Sequence, residues 1–210
     1  DKTGVAVNYS NIGMIYAIEG EEDKALASYR KSLQLHASMN DDRGLGDACL
    51  KIGGAFMNME NYDSALYYVR RGIYHAQKAG DNRTAITGLI NLGNVFEDCN
   101  LPDSARAYYQ LALHMQEGIH NDEGIAMAQK DLGAFFVHQK DYNNGILYCD
   151  SAFRLSSTLG FAKLQLGSCE CLAIAYDAIN QPARALYFYK MADTLRDSLS
   201  SVEKTKALNR

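Results

Sequence analysis

The sequence predicts an all-α fold, a stacked solenoid of five helical hairpins followed by a further C-terminal helix. Three periodic registers predict it. The tripeptides Asn11-Ile12-Gly13, Lys51-Ile52-Gly53, Asn91-Leu92-Gly93, Asp131-Leu132-Gly133 and Cys171-Leu172-Ala173 follow one another at a spacing of 40 residues. An aromatic repeats at the same step, as Tyr16, Phe56, Phe96, Phe136 and Tyr176. A third register is small: Ala25, Ala65, Ala105, Gly145 and Ala185. A unit of this length cannot bury its apolar faces alone, so neighbouring copies stack.

The second unit, 41–80, shows the elements plainly. From Gly44 to about Met59, the residues Leu45, Ala48, Cys49, Ile52, Ala55, Phe56 and Met59 recur at helical spacing and predict a helix A. A polar break at Glu60-Asn61 leads into helix B, with Ala65, Leu66, Val69, Ile73 and Ala76 on one stripe. Gly80-Asp81-Asn82 suits a helix C-terminus followed by a new start. In the first, second and third units Asp23, Asp63 and Asp103 sit in the first turn of helix B, at the positive end of the helix dipole. In the third and fifth, Pro102 and Pro182 open helix B, where a missing N–H is harmless. Glycine inside a helix costs about 1 kcal/mol relative to alanine. Its recurrence at 13, 53, 93 and 133 therefore predicts a close crossing of helices A and B, with the small residue of the third register facing it. The fifth unit departs twice: Ala173 replaces the glycine, and Phe161 interrupts a polar loop.

Five units of 40 account for 200 of the 210 residues, as 1–40, 41–80, 81–120, 121–160 and 161–200, and predict one continuous solenoid. Residues 201–210 start a sixth helix A, capped by Ser200-x-x-Glu203. Lys204, Lys206 and Arg210, with Ala207 and Leu208, make it a solvating cap or a linker helix to another domain. A hydrophobic fraction of 47%, two prolines and no tryptophan fit a helical chain. The net charge of −4 and the lack of any Lys/Arg block argue against nucleic acid as a partner. No apolar run reaches the roughly 18 residues of a membrane span, so this region itself is not expected to contact a membrane. The start at Asp1, without Met or a signal-like segment, reads as an excised piece of a longer protein.

Cys49 and Cys169 share a repeat position, and Cys149 takes the slot that Tyr29, Tyr109 and Tyr189 fill elsewhere. The five cysteines read as small core residues, leaning toward a reducing compartment without excluding the periplasm. Cys169 and Cys171, two apart on a helix, point to different faces and make a poor metal clip. The histidines at 36, 75, 114, 120 and 138 show no i, i+4 pair and read as helix-surface residues. The helix B tyrosines 67, 68, 108, 109, 148, 187 and 189 are expected to pack between repeats. No nucleophile–base pair, phosphate loop or metal set stands out, so no enzyme activity, metal or cofactor is expected. The sequons Asn8-Tyr9-Ser10 and Asn82-Arg83-Thr84 read as chance.

Ile12-Gly13-x-x-Tyr16 with Ala25-x-x-x-Tyr29, and Leu92-Gly93-x-x-Phe96 with Ala105-x-x-x-Tyr109, resemble the tetratricopeptide repeat signature. The early tryptophan of that signature is absent, and the period is 40 rather than 34, as in the longer variant of scaffolds and bacterial regulators. The resemblance implies a right-handed superhelix whose concave wall, lined by helix A, binds a protein or peptide. Its ligand-facing positions fall here on Asn11, Lys51, Asn91 and Asp131, on Lys130, on Asn94, and on Asn58, Asp98 and His138. Asparagine and lysine at such places bond the main chain or terminal carboxylate of an extended peptide, although Asp131 and Glu170 carry the wrong sign for a carboxylate clamp. The stretch from Arg196 to Lys206 resembles the junction in Bacteroidetes-type sensor proteins, where such an array runs into a membrane helix and a histidine kinase or regulator. That resemblance implies the sensing region of a signalling protein, periplasmic if a membrane sensor. The alternative is a stand-alone cytoplasmic adaptor.

Overall fold

A computed structural model describes the backbone of residues 1–208 and the side chains to Val202. Among the described residues there are ten helices and no strand: α1 Lys2–Ile18, α2 Glu22–Ser38, α3 Asp42–Asn58, α4 Tyr62–Lys78, α5 Asn82–Asp98, α6 Pro102–Gly118, α7 Asp122–His138, α8 Tyr142–Leu159, α9 Ala162–Ala178 and α10 Pro182–Leu208. Odd-numbered helices are the A helices and even-numbered ones the B helices. They gather into two compact units, residues 1–108 and 109–210, whose boundary falls inside α6.

The turns explain the regularity of the helices. Gly20, Asn40, Glu60, Gly80, Asn100, His120, Lys140, Gly160 and Asn180 all have left-handed φ, so the backbone repeats every 20 residues as well as every 40. Around each, the chain closes a helix end in the same way. The Gly20 amide donates to the Ala17 carbonyl and the Glu21 amide to that of Tyr16, a Schellman arrangement that recurs at Asn40–Asp41 and His120–Asn121. At Asp41, Asn61, Asp81, Asn121 and Asp141 the residue after the left-handed one then caps the next helix. Asp41, Asp81 and Asn121 accept from the amides of Gly44, Thr84 and Gly124 at the heads of α3, α5 and α7, and Asp1 does the same for Thr3. Phe161 makes no such bond at the head of α9, in keeping with its departure from the polar pattern.

In the first unit, Ala25, Leu26 and Tyr29 of α2 pack on Ile52 and Ala55 of α3. In the second, Cys149 of α8 packs with Val137 of α7 and with Cys171, Leu172 and Ala175 of α9. The repeat glycines do sit at close crossings, but what faces them differs from expectation. A Cβ on Gly53 would meet Val69 Cγ2 at 2.6 Å before the Ala65 carbonyl at 3.5 Å, and one on Gly13 would meet the Tyr29 ring at 2.5 Å. At both, the neighbour is the bulky residue sixteen positions on, and at Gly53 the small residue lies behind it.

Three further expectations are corrected. Cys149 and Cys171 are not free core fillers: they form a disulfide between α8 and α9, with Cα atoms 6.3 Å apart. Cys49 and Cys169 do behave as buried thiols, each pushed up to about 11 by burial. Among the tyrosines, Tyr68, Tyr108 and Tyr148 stack on Phe56, Phe96 and Phe136, while Tyr67, Tyr187 and Tyr189 are exposed. Finally, Ser200 starts no new helix, because α10 runs through it without a break. The side chains of the charged stretch from Glu203 to Arg210 lie outside those described.

Candidate functional site

The wall shared by α3 and α5 in the first unit gathers polar side chains from two A helices. Asp81, the cap of α5, accepts from the Thr84 amide at 3.1 Å, the Thr84 hydroxyl at 3.0 Å and Arg43 Nε at 3.0 Å. Burial pushes its carboxyl up, but the bonds from Thr84 and Arg43 and the Arg43 charge outweigh that and hold it below its ordinary value. The cap therefore ties the head of α5 to the first turn of α3.

One turn and more along, Asp47, Leu50 and Lys51 of α3 face Arg83, Thr84, Thr87 and Asn91 of α5 across a recess of about 290 Å³. A second recess of about 370 Å³ adjoins it toward α1, sharing Asp47, Arg83 and Thr84. Lys51 Nζ is held by Asp47 at 2.8 Å, and the Thr87 hydroxyl donates to the Arg83 carbonyl. The Arg83 guanidinium and the Asn91 amide have no partner among the described residues, so both remain open to a ligand. Leu50 supplies an apolar floor. The site can bind a carboxylate through Arg83, bidentately, and an extended main chain through Asn91. A larger dip of about 570 Å³ over Asp63, Leu66, Tyr67, Arg70 and Arg71 is lined by α4 alone and joins no second element.

Of the residues singled out from sequence, Lys51 and Asn91 come together in the recess. Asn11 is exposed on α1, and Asn94 is half-buried on α5. Asn58 Nδ2 donates to Glu22 Oε1 at 2.6 Å, tying α3 to α2. Asp98 ends α5; burial, then the charges of Glu97 and Glu60, push its carboxyl up. In the second unit, Lys130 pairs with its neighbour Asp131 at 2.6 Å, and His138 is exposed at the end of α7. Two of the cations expected to meet a ligand are therefore already neutralised.

Sequence reasoning missed Arg83, although Arg43 and Arg83 stand 40 apart at the second position of their A helices. It also misplaced two histidines. His36 is buried, bonding Asp41 through Nδ1 at 2.8 Å, and His75 bonds Asp42 at 2.8 Å. Lys78 joins Asp42 as well, and the bonds from Lys78 and His75 hold that carboxyl below its ordinary value. The signal was the cap register: an acid five residues after His36 accepts from it across the turn. Among the described residues no group of three His, Cys, Asp or Glu is placed to hold a metal ion, and no helix is long and apolar enough to cross a membrane.

Residues 6–38 match a family model described as tetratricopeptide repeat. No curated protein sequence matches the chain. Solved structures do. BtubC from P. vanneervenii gives a TM-score of 0.80 at 16% identity, over 95% of this chain and 82% of that one. A signal transduction ATPase with a tetratricopeptide repeat sensor, from Pyrococcus horikoshii, gives 0.76 at 18% identity, over 94% of this chain and 31% of that one. The Rap conjugation gene regulator of the plasmid pLS20, in complex with the Phr* peptide, gives 0.77 at 18% identity, over 91% and 53%. The chain thus spans only part of the latter two, and at these identities the likeness is one of fold.

Proposed function

We propose that this chain, whose fold is that of a tetratricopeptide repeat solenoid, is a non-catalytic scaffold that holds an extended peptide in the α3–α5 recess. The observation that carries this reading is the pairing of an unengaged guanidinium, Arg83, with an unengaged amide, Asn91, on one wall over Leu50. Arg83 takes an acidic side chain or terminal carboxylate, Asn91 bonds the peptide main chain, and Leu50 receives an apolar side chain. A fold relative in the form of a Rap regulator solved with a bound peptide supports the ligand class.

In the fuller reading the chain is the sensing or interaction region of a larger signalling protein, such as a two-component sensor kinase. The relative with a tetratricopeptide repeat sensor supports that role. So does the 27-residue α10, which runs past the length of the other helices as a linker helix would. The Cys149–Cys171 disulfide favours an oxidising compartment, hence the periplasmic version over a cytoplasmic adaptor.

The test is selection of a random heptapeptide library on the 210-residue chain, followed by anisotropy titration of the enriched peptides. Loss of a charged hydrogen bond is worth roughly 1.5–3 kcal/mol, so Arg83→Ala should weaken binding by about tenfold or more. Enriched peptides that bind Arg83→Ala and Asn91→Ala as tightly as the parent would overturn the assignment.

A further inference from the structure

Gly54 stands inside α3, four residues before its end, and its φ is not left-handed, so no turn calls for glycine there. Elsewhere in the helices, crowding explains the glycine. A Cβ on Gly53, Gly72, Gly88 or Gly145 would come to within 2.6 Å of a neighbouring side chain. A Cβ on Gly54 would meet no atom of the described residues within 4 Å. The repeat does not require glycine at this place either, since the other units carry Met14, Asn94, Ala134 and Ile174. Glycine inside a helix is less favourable than alanine or methionine. At Gly54 that loss brings no packing within the fold in return.

The open space lies on the wall of the α3–α5 recess. Gly54 follows Asp47, Leu50 and Lys51 at spacings of seven, four and three, so it carries their stripe one turn further along α3. We propose that Gly54 is a ligand-contact position, where a bulky apolar side chain of the bound peptide lies on the bare helix backbone. This rests on the reading of the recess as a peptide site. The chemistry of the surface selects an apolar group. The amides and carbonyls of this turn are bonded within the helix, and no side chain projects at 54, so the surface offers neither donor nor acceptor. Leu50, four residues before, and the half-buried Met57, three after, flank it with further apolar groups. A polar side chain laid there would lose water without gaining a partner.

The place of Gly54 along the wall also sets the spacing of groups on the ligand. Lys51 and Asn91 share a repeat position, and Gly54 stands three residues beyond it, about 4.5 Å along the helix axis. Extended peptide covers that rise in one to two residues, at roughly 3.3 Å each. Arg83 stands eight residues before Asn91, about 12 Å the other way, less the reach of its side chain. The ligand is therefore an extended segment with an acidic group, or its terminal carboxylate, about three to five residues from a bulky apolar side chain.

Heptapeptides selected from a random library on the 210-residue chain and titrated by anisotropy test this. The enriched sequences should share the acid-to-apolar spacing. Gly54→Met, which copies the residue of the first unit at this place, should raise the urea midpoint. It should nonetheless weaken the peptides about tenfold or more, by occupying the seat of their apolar side chain. Replacing that peptide side chain by alanine should weaken binding to the parent by a similar factor, and the shortened peptide should bind Gly54→Met as well as the parent. Ala134→Met, at the same repeat position in the second unit, should leave binding unchanged. Peptides weakened by Arg83→Ala but bound by Gly54→Met as tightly as by the parent would overturn the role of Gly54 and leave the recess reading standing. A lowered urea midpoint for Gly54→Met would overturn it too, by revealing a packing role within the fold. Peptides indifferent to Arg83→Ala, Asn91→Ala and Gly54→Met alike, or a library from which none is enriched, would overturn both readings.

Discussion

Gly53→Ala should destabilise the protein even though alanine is the better helix former. The added Cβ would stand 2.6 Å from Val69 Cγ2, about an ångström inside ordinary contact, with the Val69 amide at 3.4 Å and the Ala65 carbonyl at 3.5 Å. Val69 is fully buried and β-branched, so it cannot rotate away cheaply. Overpacking of this kind costs about 1–3 kcal/mol, which exceeds the gain of about 1 kcal/mol in helix propensity. Removing the obstacle should reverse the sign. In a Val69→Ala background the clash is gone, the new methyl partly fills the cavity, and Gly53→Ala should become neutral or stabilising. Urea melts of the parent, both single variants and the double variant give the coupling directly, expected at about 2–3 kcal/mol. Additive effects, with coupling under roughly 0.5 kcal/mol, would refute the packing role assigned to the repeat glycine.

Other expectations rest on separate features. In denaturant without reductant, the chain should show three titratable thiols, those of Cys49, Cys99 and Cys169. Breaking a link across 22 residues by replacing Cys149 and Cys171 with alanine should cost about 3 kcal/mol, read by urea melts. His120→Gly should raise stability by about 1 kcal/mol in the same assay, since a histidine there holds a left-handed φ of 51°. Asp98→Asn should raise the melting temperature at pH 7. The folded Asp98 carboxyl is pushed above its ordinary 3.8, so its ionised form opposes folding above the folded value. The benefit of the amide should vanish as pH falls below 3.8, where folded and unfolded chains are both protonated.

The repeat registers made the helices legible because each is a local, periodic signal: Leu45 to Phe56 and Ala65 to Ala76 fell on the helices found, and Met59 on the C-cap of α3. They could not say what faces a given slot across units. Cys149 looked like one more filler of the Tyr29 slot, yet that slot lies against the next A helix, where Cys171 waits 22 residues on. His36 looked like a surface residue because its partner, Asp41, sits beyond a left-handed turn that the apolar pattern does not mark. Tyr187 and Tyr189 shared the pattern of packed tyrosines but belong to the last B helix, which no further unit covers among the described residues. At the candidate site, Lys51 and Asn91 were reachable through a family pattern. Arg83 was not, since its role depends on Lys51 being held by Asp47 while Arg83 is left open.

The most direct test of the peptide-binding account is backbone-amide NMR of the chain titrated with a peptide selected on it. Shift changes concentrated in α3 and α5, around Leu50, Arg83, Thr87 and Asn91, and lost in Arg83→Ala, are the predicted result. Changes centred on the outer faces of α4 and α8, or unaltered by Arg83→Ala, would contradict it.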